Sequence, residues 1–274
     1  MPGQKVNSTF SRALRFTARN VQLVSEIGCD LSEISKLRHL NKRGISYSRY
    51  LLFKKKWVLD CNIRTVIDIG ANVGEFTAVF AELFPDARIY AFEPLLDCFE
   101  QLRKVAKQYQ GRVKVFNIAL GTQEGSFEFQ RSSWAPASSF REMSNLHKKN
   151  YPHSARSETV KVNVKTLDDV FKNIDLNKNI FIKVDVQGFE DEVIKGGLEV
   201  VKQAKVLVVE CSLQSTYEGE PMFDGIYNLL RSIGFEYRGS LKQSIRKDDQ
   251  SFLQADCVFM KKPQISREAW VNDE

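Results

Sequence analysis

This 274-residue chain has few cysteines and no long apolar run. The five cysteines, Cys29, Cys61, Cys98, Cys211 and Cys257, are odd in number and scattered, and no two of them form a CxxC pair. That pattern argues against a disulfide framework and against a zinc site, so we expect reduced thiols and assign no metal ligand. No stretch approaches the roughly 18 unbroken apolar residues of a membrane span, and the first residues contain no apolar signal-peptide core. We therefore expect no membrane span and a cytoplasmic protein.

Charge does not dominate the composition either. The chain is 43% apolar, 27% charged and 11% aromatic, which is typical of a globular protein and excludes a disordered one. Its length suits one α/β domain with an N-terminal extension, although two small domains would also fit. The net charge of +6 is modest and spread along the chain, so we do not expect nucleic acid as the partner.

The first 63 residues have helical patterns. Apolar residues between Phe10 and Ile27 fall on one helical face and arginines on the other, and the pattern recurs from Leu31 to Leu40 before a stop at Gly44. We predict a helical extension over residues 1–63, which serves either as a packing cap or, alternatively, as a lid or dimer arm. The opening segment also lacks acidic residues, which keeps an organellar targeting peptide open as an alternative.

From residue 64 to residue 263 the pattern changes to that of an α/β domain. Short β-branched runs alternate with helical patterns, which is typical of a mostly parallel sheet. Residues 131–157 interrupt this alternation as a polar insertion, and residues 264–274 form a tail. The predicted strands are Thr65 to Ile69, Arg88 to Phe92, Val113 to Ile118, Phe127 to Gln130, Ile180 to Val184 and Ala204 to Val209, with a final hairpin of Phe235 to Tyr237 and Asp256 to Met260.

The most informative segment is the strand, glycine turn and helix around VIDIGANVG, residues 66–74. Glycines there allow a close approach to a ligand at the helix N-terminus. Asp68 precedes Gly70 by two residues, and the middle glycine of the dinucleotide pattern GxGxxG is missing. A carboxylate at this point would repel a pyrophosphate but attract an ammonium group. The loop therefore favours S-adenosylmethionine, which carries an ammonium and a sulfonium but no phosphate, over NAD.

Two further strand ends support an adenosine-containing ligand. Glu93 ends the second strand, where a carboxylate can accept both hydroxyl hydrogens of a ribose. NAD enzymes use the same arrangement, so Glu93 does not identify the ligand, and a solvated strand-end carboxylate is the alternative. Asn117, Ile118 and Ala119 end the third strand beside the expected adenine pocket.

Asp185 and Glu210 end the fourth and fifth strands of the main sheet, at the carboxyl edge where open α/β sheets bind ligands. We predict that Asp185 takes the proton of an acceptor hydroxyl, with Glu210 as the other candidate base. The alternatives are a helix cap for Asp185, on a helix beginning near Phe189, and a structural role for Glu210. The insertion carries Trp134, His147 and His153, and we predict that it forms a lid with the two histidines as reserve bases.

Five strings together resemble the FkbM family of methyltransferases: VIDIGANVGEF, AFEP, NIALG, VKTLDD and FIKVDVQGFE occur in that family's order between about Thr65 and Lys261. The resemblance implies the class I methyltransferase fold, a Rossmann-like, doubly wound, mostly parallel seven-stranded α/β sheet with an antiparallel last strand. It also implies O-methylation of sugars, polyketides or related metabolites. Ser138-Ser139 resembles a serine element of many members. The residues assigned to the cofactor are Asp68, Gly70, Ala71, Asn72, Gly74, Thr77, Glu93, Pro94, Asn117, Ile118, Ala119, Ser139 and Asp185.

Other methyl acceptors and roles were weighed against a small-molecule hydroxyl. An enzyme that methylates amino groups of bases would be expected to carry an Asn/Asp-Pro-Pro-aromatic loop after the fourth strand, and a pyrimidine C5 enzyme a cysteine. This chain has Asp-Val-Gln-Gly there, which favours oxygen. A ribose 2′-hydroxyl of RNA stays open, as does a non-catalytic S-adenosylmethionine-binding module. The sequence leaves a homodimer open.

Overall fold

The structure, a computed structural model, describes residues 31–176 and 178–261. They form two compact units, one ending at Leu51 and the other beginning at Leu52. The helix predicted between Phe10 and Ile27, the thiol of Cys29 and the tail of residues 264–274 lie outside the described residues. The predicted domain start at residue 64 coincides with the first strand, whereas the second compact unit already begins at Leu52.

The first unit contains α1 (Leu31–Lys42) and most of α2 (Tyr47–Phe53). Gly44 follows α1 with φ 72°, a left-handed conformation that ends helices and favours glycine. The helix and its stop are where the sequence predicts them. Within this unit, Lys36 Nζ lies 5.4 Å from the ring centre of Tyr50.

The second unit is built on a seven-stranded sheet in the order β3-β2-β1-β7-β8-β10-β9. All its strands are parallel except β10, which pairs antiparallel with both β8 and β9. This confirms the predicted doubly wound, mostly parallel sheet with an antiparallel last strand. Its elements are α3 (Lys56–Leu59), β1 (Thr65–Ile69), α4 (Glu75–Leu83), β2 (Arg88–Phe92), α5 (Leu96–Ala106), β3 (Val113–Phe116), α7 (Leu167–Phe171), β7 (Ile180–Val184), α8 (Glu190–Lys195), α9 (Leu198–Gln203), β8 (Ala204–Ser212), α10 (Phe223–Ser232), β9 (Phe235–Ile245) and β10 (Phe252–Lys261).

Both faces of the central strands are covered, which explains their continuous apolar runs. On one face, Ile182 and Leu207 belong to a core that includes residues of α8, α9 and α10. On the other face, the Phe181 ring lies 5.2 Å from that of Phe80 and 6.0 Å from that of Phe53. Burial of each such side chain contributes about 1.5 to 3 kcal/mol, so both faces stabilise the sheet.

A second, three-stranded sheet flanks the predicted insertion of residues 131–157, whose two ends lie in its strands. It consists of β4 (Ala119–Leu120), β5 (Gly125–Ser132) and β6 (Ser157–Lys165) in the order β4-β6-β5. The remaining segment, predicted as irregular, contains α6 (Asn145–Asn150) and two short 3₁₀ turns, Ala135–Ala137 and Pro152–Ser154. Inward residues such as Phe129 and Val162 pack with Leu95 and Cys98 beside α5, so this small sheet has its own apolar core.

The final hairpin is where the sequence predicts it but is longer, because β9 and β10 extend to Ile245 and from Phe252. Cys61, Cys98, Cys211 and Cys257 are buried free thiols, as expected. None of the helices within residues 31–176 and 178–261 is long and apolar enough to cross a membrane.

Candidate active site

The loop between β1 and α4 passes close to neighbouring parts of the protein. Gly70 and Gly74 have φ values of 80° and 87°. A Cβ atom at Gly70 would come within 1.9 Å of the Asp185 carbonyl oxygen, and one at Gly74 within 2.9 Å of Leu102 Cδ1. The sequence suggested that these glycines make room for a ligand. In the structure each glycine is also required by packing within the protein, because the loop contacts the end of β7 at Gly70 and the side of α5 at Gly74.

Asp68 is fully buried at the end of β1, and one of its oxygens is unsatisfied. Thr77 Oγ1 donates a hydrogen bond to Asp68 Oδ2 at 2.6 Å, whereas Oδ1 has no hydrogen-bond partner among the described residues. Burial raises the pKa of Asp68, and the nearby Lys183 ammonium opposes this shift. A buried acceptor without a donor is costly. Asp68 is therefore suited to a ligand that brings a donor or a positive charge.

Glu93 follows β2 and is buried, so the alternative of a solvated carboxylate is wrong. Its Oε2 accepts the backbone N–H of Asn72 at 2.9 Å, and its Oε1 accepts that of Leu95 at 2.8 Å. Burial raises the pKa of Glu93 to about 7, against the effect of these two hydrogen bonds. Since a carboxylate oxygen has two acceptor positions, each oxygen can still accept a ligand hydroxyl.

Asn117 ties the third strand to the end of the second. Its Nδ2 donates to the carbonyl oxygens of Glu93 and Pro94 at 3.0 and 2.9 Å. Ala71 is joined to the same strand end, because its N–H donates to Phe92 O at 2.9 Å. These cofactor residues lie together at one edge of the sheet, where their role stays a prediction.

Asp185 lies directly beside the loop that contains Asp68. Its backbone N–H donates to Ile69 O at 3.1 Å. Its side chain, 25% exposed, has Oδ2 2.8 Å from Lys183 Nζ and accepts Gln187 Nε2 on Oδ1 at 2.8 Å. The helix-cap alternative is wrong, because α8 begins at Glu190 with no side-chain cap.

Lys183 is a site residue that the sequence analysis missed. It is 2% exposed, and Nζ lies 4.7 Å from the ring centre of Phe76. Burial alone would lower the pKa of Lys183, but the carboxylates of Asp185, Asp68 and Asp256 outweigh it, so the pKa is raised. Conversely, burial would raise the pKa of Asp185, but the Lys183 ammonium outweighs it and the pKa is lowered. The two side chains therefore form an ionised pair at neutral pH. A lysine inside a buried strand was the available signal.

Glu210 lies on β8, in register with Asp256 of β10. Its Oε2 accepts Gln187 Nε2 at 2.5 Å and Gln254 Nε2 at 3.2 Å. Burial, followed by the negative charges of Asp185 and Asp256, raises the pKa of Glu210 well above its ordinary value. The structure thus brings the two predicted carboxylates together through one amide, that of Gln187.

The histidines of the insertion lie elsewhere. His147 is buried, with Nε2 3.1 Å from Ser154 Oγ and its ring 5.0 Å from that of Tyr217. Burial lowers the pKa of His147 to about 4, assisted by the charges of His153 and Lys148. The His153 ring packs 5.2 Å from that of the exposed Trp134. Among the described residues, no contact joins either histidine to Asp185 or Glu210. Ser139, in contrast, reaches the turn after Asp185, where its Oγ donates to Gln187 O at 2.6 Å.

The site residues from Asp68 to Glu210 lie within a match to a known protein family. The Methyltransferase FkbM domain family matches residues 68–237, more than half of the chain. The chain is 28% identical over 194 residues to the 2-O-methyltransferase NoeI of Sinorhizobium fredii, a match covering 67% of this chain and 76% of NoeI. It is 26% identical over 145 residues to the hexuronic acid methyltransferase AglP of Haloferax volcanii, covering 52% of this chain and about half, 54%, of AglP. A crystal structure of a methyltransferase FkbM from Methylobacillus flagellatus superposes with a TM-score of 0.46 at 17% identity, covering 73% of this chain and 44% of that one.

Proposed function

Because the chain belongs to the FkbM methyltransferase family, we propose that it binds S-adenosylmethionine and transfers a methyl group to a hydroxyl oxygen of a small molecule. One observation carries this proposal: the loop after β1 and the candidate base are in backbone contact. Asp185 N–H donates to Ile69 O at 3.1 Å, and the space beside Gly70 is filled by the Asp185 carbonyl group. A ligand bound at that loop would therefore have its reactive group near Asp185.

The chemistry of the loop fits this cofactor. Asp68 Oδ1 is a buried acceptor with no partner among residues 31–176 and 178–261, which suits the ammonium of an amino acid moiety. Glu93 has acceptor positions left for two ribose hydroxyls. When bound, the cofactor supplies an electrophilic methyl group on a sulfonium. The two carboxylates, Asp68 and Glu93, match a ligand with a positive charge and no phosphate.

Asp185 and its neighbours would then handle the acceptor. Asp68 and Glu93 would hold the cofactor, which would supply its methyl group to the acceptor oxygen and keep the electron pair of the broken carbon–sulfur bond on sulfur. Asp185 accepts the hydroxyl proton, which it afterwards releases to water. Lys183 keeps Asp185 ionised for this step and holds Oδ2 in place at 2.8 Å. Such proton transfer typically accelerates a reaction about 10²- to 10⁴-fold, in addition to the gain from aligning the oxygen.

For the acceptor we propose a hydroxyl of a sugar, a glycoside or a polyketide-like natural product. Carboxylate and amide groups cluster at the sheet edge in Asp185, Gln187 and Glu210, and such groups pair well with neighbouring hydroxyls. The relatives agree with this choice: the name of NoeI specifies a 2-O-methyltransferase, and that of AglP a hexuronic acid substrate.

Calorimetry tests the cofactor part of this proposal. We expect the protein to bind S-adenosylhomocysteine with a dissociation constant in the range of about 1 to 100 μM, that is about 5 to 8 kcal/mol, and not to bind NAD. The variant Asp68→Asn keeps the Thr77 contact within reach but loses the charge, so it should bind the ligand at least about tenfold more weakly. Asp175→Asn, at an exposed carboxylate, is the matched control. Binding of NAD instead, or no binding of either ligand, would contradict the proposal.

A further inference from the structure

The turn between β7 and α8 holds its residues in a fixed and unusual conformation. Gln187 has φ 59°, a left-handed conformation that costs a residue other than glycine about 1 kcal/mol or more. The turn is held by Ser139 Oγ, which donates to Gln187 O at 2.6 Å, and by Arg141 Nε, which donates to Gly188 O at 2.7 Å. Buried Glu190 accepts the N–H of Gly188 at 3.2 Å. The surroundings therefore determine where the Gln187 side chain points.

The Gln187 amide uses its hydrogen-bonding groups within the site. Nε2 donates to Asp185 Oδ1 at 2.8 Å and to Glu210 Oε2 at 2.5 Å. Oε1 lies 3.0 Å from the hydroxyl oxygen of Tyr217. Both hydrogens of the amide are thus directed at carboxylates, one on each candidate base.

Tyr217 and the two carboxylates together fix which end of the Gln187 amide faces the carboxylates. The residue is fully buried, and burial together with the negative charges of Glu210 and Glu190 raises the pKa of its hydroxyl well above the ordinary value. The hydroxyl therefore keeps its single proton, which it shares between two acceptors, Gln187 Oε1 at 3.0 Å and Ala137 O at 2.9 Å. Only the oxygen end of an amide can accept from it. A reversed amide would also place its oxygen against two carboxylates.

We propose that Gln187 is a positioning residue for methyl transfer: its amide, oriented by Tyr217, joins Asp185 and Glu210 into one unit and fixes the carboxylate that faces the acceptor. This inference rests on the proposed function, because it takes Asp185 as the group that receives the hydroxyl proton. With Lys183 on Oδ2 and Gln187 on Oδ1, the Asp185 carboxylate cannot rotate and keeps one free acceptor position on each oxygen.

The arrangement is not one that stability alone would select. Two carboxylates that approach a common donor repel each other when both are ionised. Tyr217 could satisfy its hydroxyl on Ala137 O without any amide. A left-handed glutamine in a turn is also less favourable than a glycine. Because one Gln187 amide donates to both carboxylates, the protonation of either carboxylate changes the pKa of the other.

Carbon-13 NMR of side-chain carboxylates in the full-length protein tests this role without needing an acceptor. Signals of the two carboxylates are assigned with Asp185→Asn and Glu210→Gln. Gln187→Met keeps the side-chain length but removes both donated hydrogen bonds, so the midpoints of Asp185 and Glu210 should rise by about one to two pH units, a 10- to 100-fold gain in proton affinity. Tyr217→Phe should shift Glu210 in the same direction by a smaller amount. Tyr227→Phe removes a half-buried hydroxyl on α10 and should shift neither.

Each outcome decides the question. Shifts in Gln187→Met and Tyr217→Phe, absent from Tyr227→Phe, support the positioning role. If both midpoints stay within about 0.2 units of the wild-type values in the two variants, the inference is wrong. If Gln187→Met does not fold, Tyr217→Phe decides alone, because it keeps the ring that packs on His147. Failure to methylate any hydroxyl acceptor would count against the proposed function. The NMR midpoints are measured without an acceptor, so the two failures can be told apart.

Discussion

We expect Glu93 to make cofactor binding depend on pH. Burial raises the pKa of Glu93 to about 7, and the ionised carboxylate is a stronger acceptor for ribose hydroxyls than the neutral acid. Affinity for S-adenosylhomocysteine should therefore increase as the pH rises through about 7. Hydrogen bonds to a charged group contribute about 1.5 to 3 kcal/mol, so Glu93→Gln should bind roughly 10- to 150-fold more weakly at pH 8 and lose this pH dependence. Calorimetry at several pH values measures both effects, with the exposed Glu128→Gln as control. Unchanged affinity would place the ribose elsewhere.

Asp185 is the predicted base, and the variant Asp185→Asn tests this role separately from folding and cofactor binding. Asp185→Asn keeps the size of the side chain but cannot accept a proton, so kcat should fall about 10²- to 10⁴-fold while cofactor affinity changes little. Steady-state kinetics with an active acceptor measures the loss. Glu210→Gln and Asp175→Asn are measured beside it, the second as an exposed control. If Asp185→Asn stays active while Glu210→Gln or a variant of His147 or His153 loses activity, the base has been assigned to the wrong residue.

The sequence predicted some site residues and could not predict others. Asp68, Glu93 and Asp185 lie at or just after the carboxyl ends of parallel strands, and such strand ends share one edge of the sheet. Lys183 was overlooked because its partner Asp68 on β1 becomes a neighbour only when β1 and β7 pair in register, although Asp185 is only two residues away in the chain. The hydrogen bond from Gln187 to Glu210 depends on the left-handed conformation of Gln187, which could not be predicted from the residue type.

The small sheet is the element that the sequence described least well. Only Phe127 to Gln130 was predicted as a strand, because β5 is largely exposed and polar. Its partner β6 also pairs in parallel with the two-residue β4, over more than forty intervening residues. Such non-local pairing leaves little periodicity to read. The hairpin of β9 and β10 was located correctly but shortened for a similar reason, since the edge strand β9 alternates between half-buried and exposed residues.

The segment of residues 131–157 stays our prediction for a lid over the acceptor. Both of its ends are anchored, since Ser132 Oγ donates to Ser154 O at 2.7 Å, while Trp134 between them is exposed. A cover of this kind should close on ligands and become harder to cleave. Limited trypsin digestion at Lys148 and Lys149 should therefore slow when S-adenosylhomocysteine and an acceptor are added. Equal cleavage rates with and without ligands would reject the lid.

At the level of the whole molecule, two buried glutamates should make stability decrease with rising pH. Burial raises the pKa of Glu93 to about 7 and that of Glu190 to about 8, whereas the unfolded chain releases these protons near the ordinary value of 4.5. The folded state thus holds more protons between about pH 4.5 and 8, and each glutamate's contribution is full below this window and is lost as the pH rises through its folded pKa. Glu190→Gln should flatten this decrease relative to the wild type, as seen in urea unfolding at several pH values. An identical slope in both proteins would show that Glu190 ionises normally.

The class of the sheet was the most predictable property of the whole molecule. Alternating strands and helices predict parallel pairing, and the right-handed crossover rule leaves few arrangements. The observed order, with β10 inserted antiparallel between β8 and β9, agrees with the class I methyltransferase sheet that the five strings implied. The acceptor could not be predicted in this way, since it depends on side chains that several elements bring together.

The position of the transferred methyl group tests most directly whether the protein methylates a hydroxyl oxygen of a small molecule. The full-length protein is incubated with S-adenosylmethionine carrying a trideuterated methyl group and a panel of sugars, uronic acids and glycosides, with RNA as a separate arm. Mass spectrometry and NMR then locate the label. We expect a trideuteromethyl ether on a hydroxyl oxygen of a small molecule, formed by the wild-type protein and almost abolished in Asp185→Asn. Label on RNA ribose or on nitrogen, or cofactor binding with no transfer to any acceptor, would contradict it.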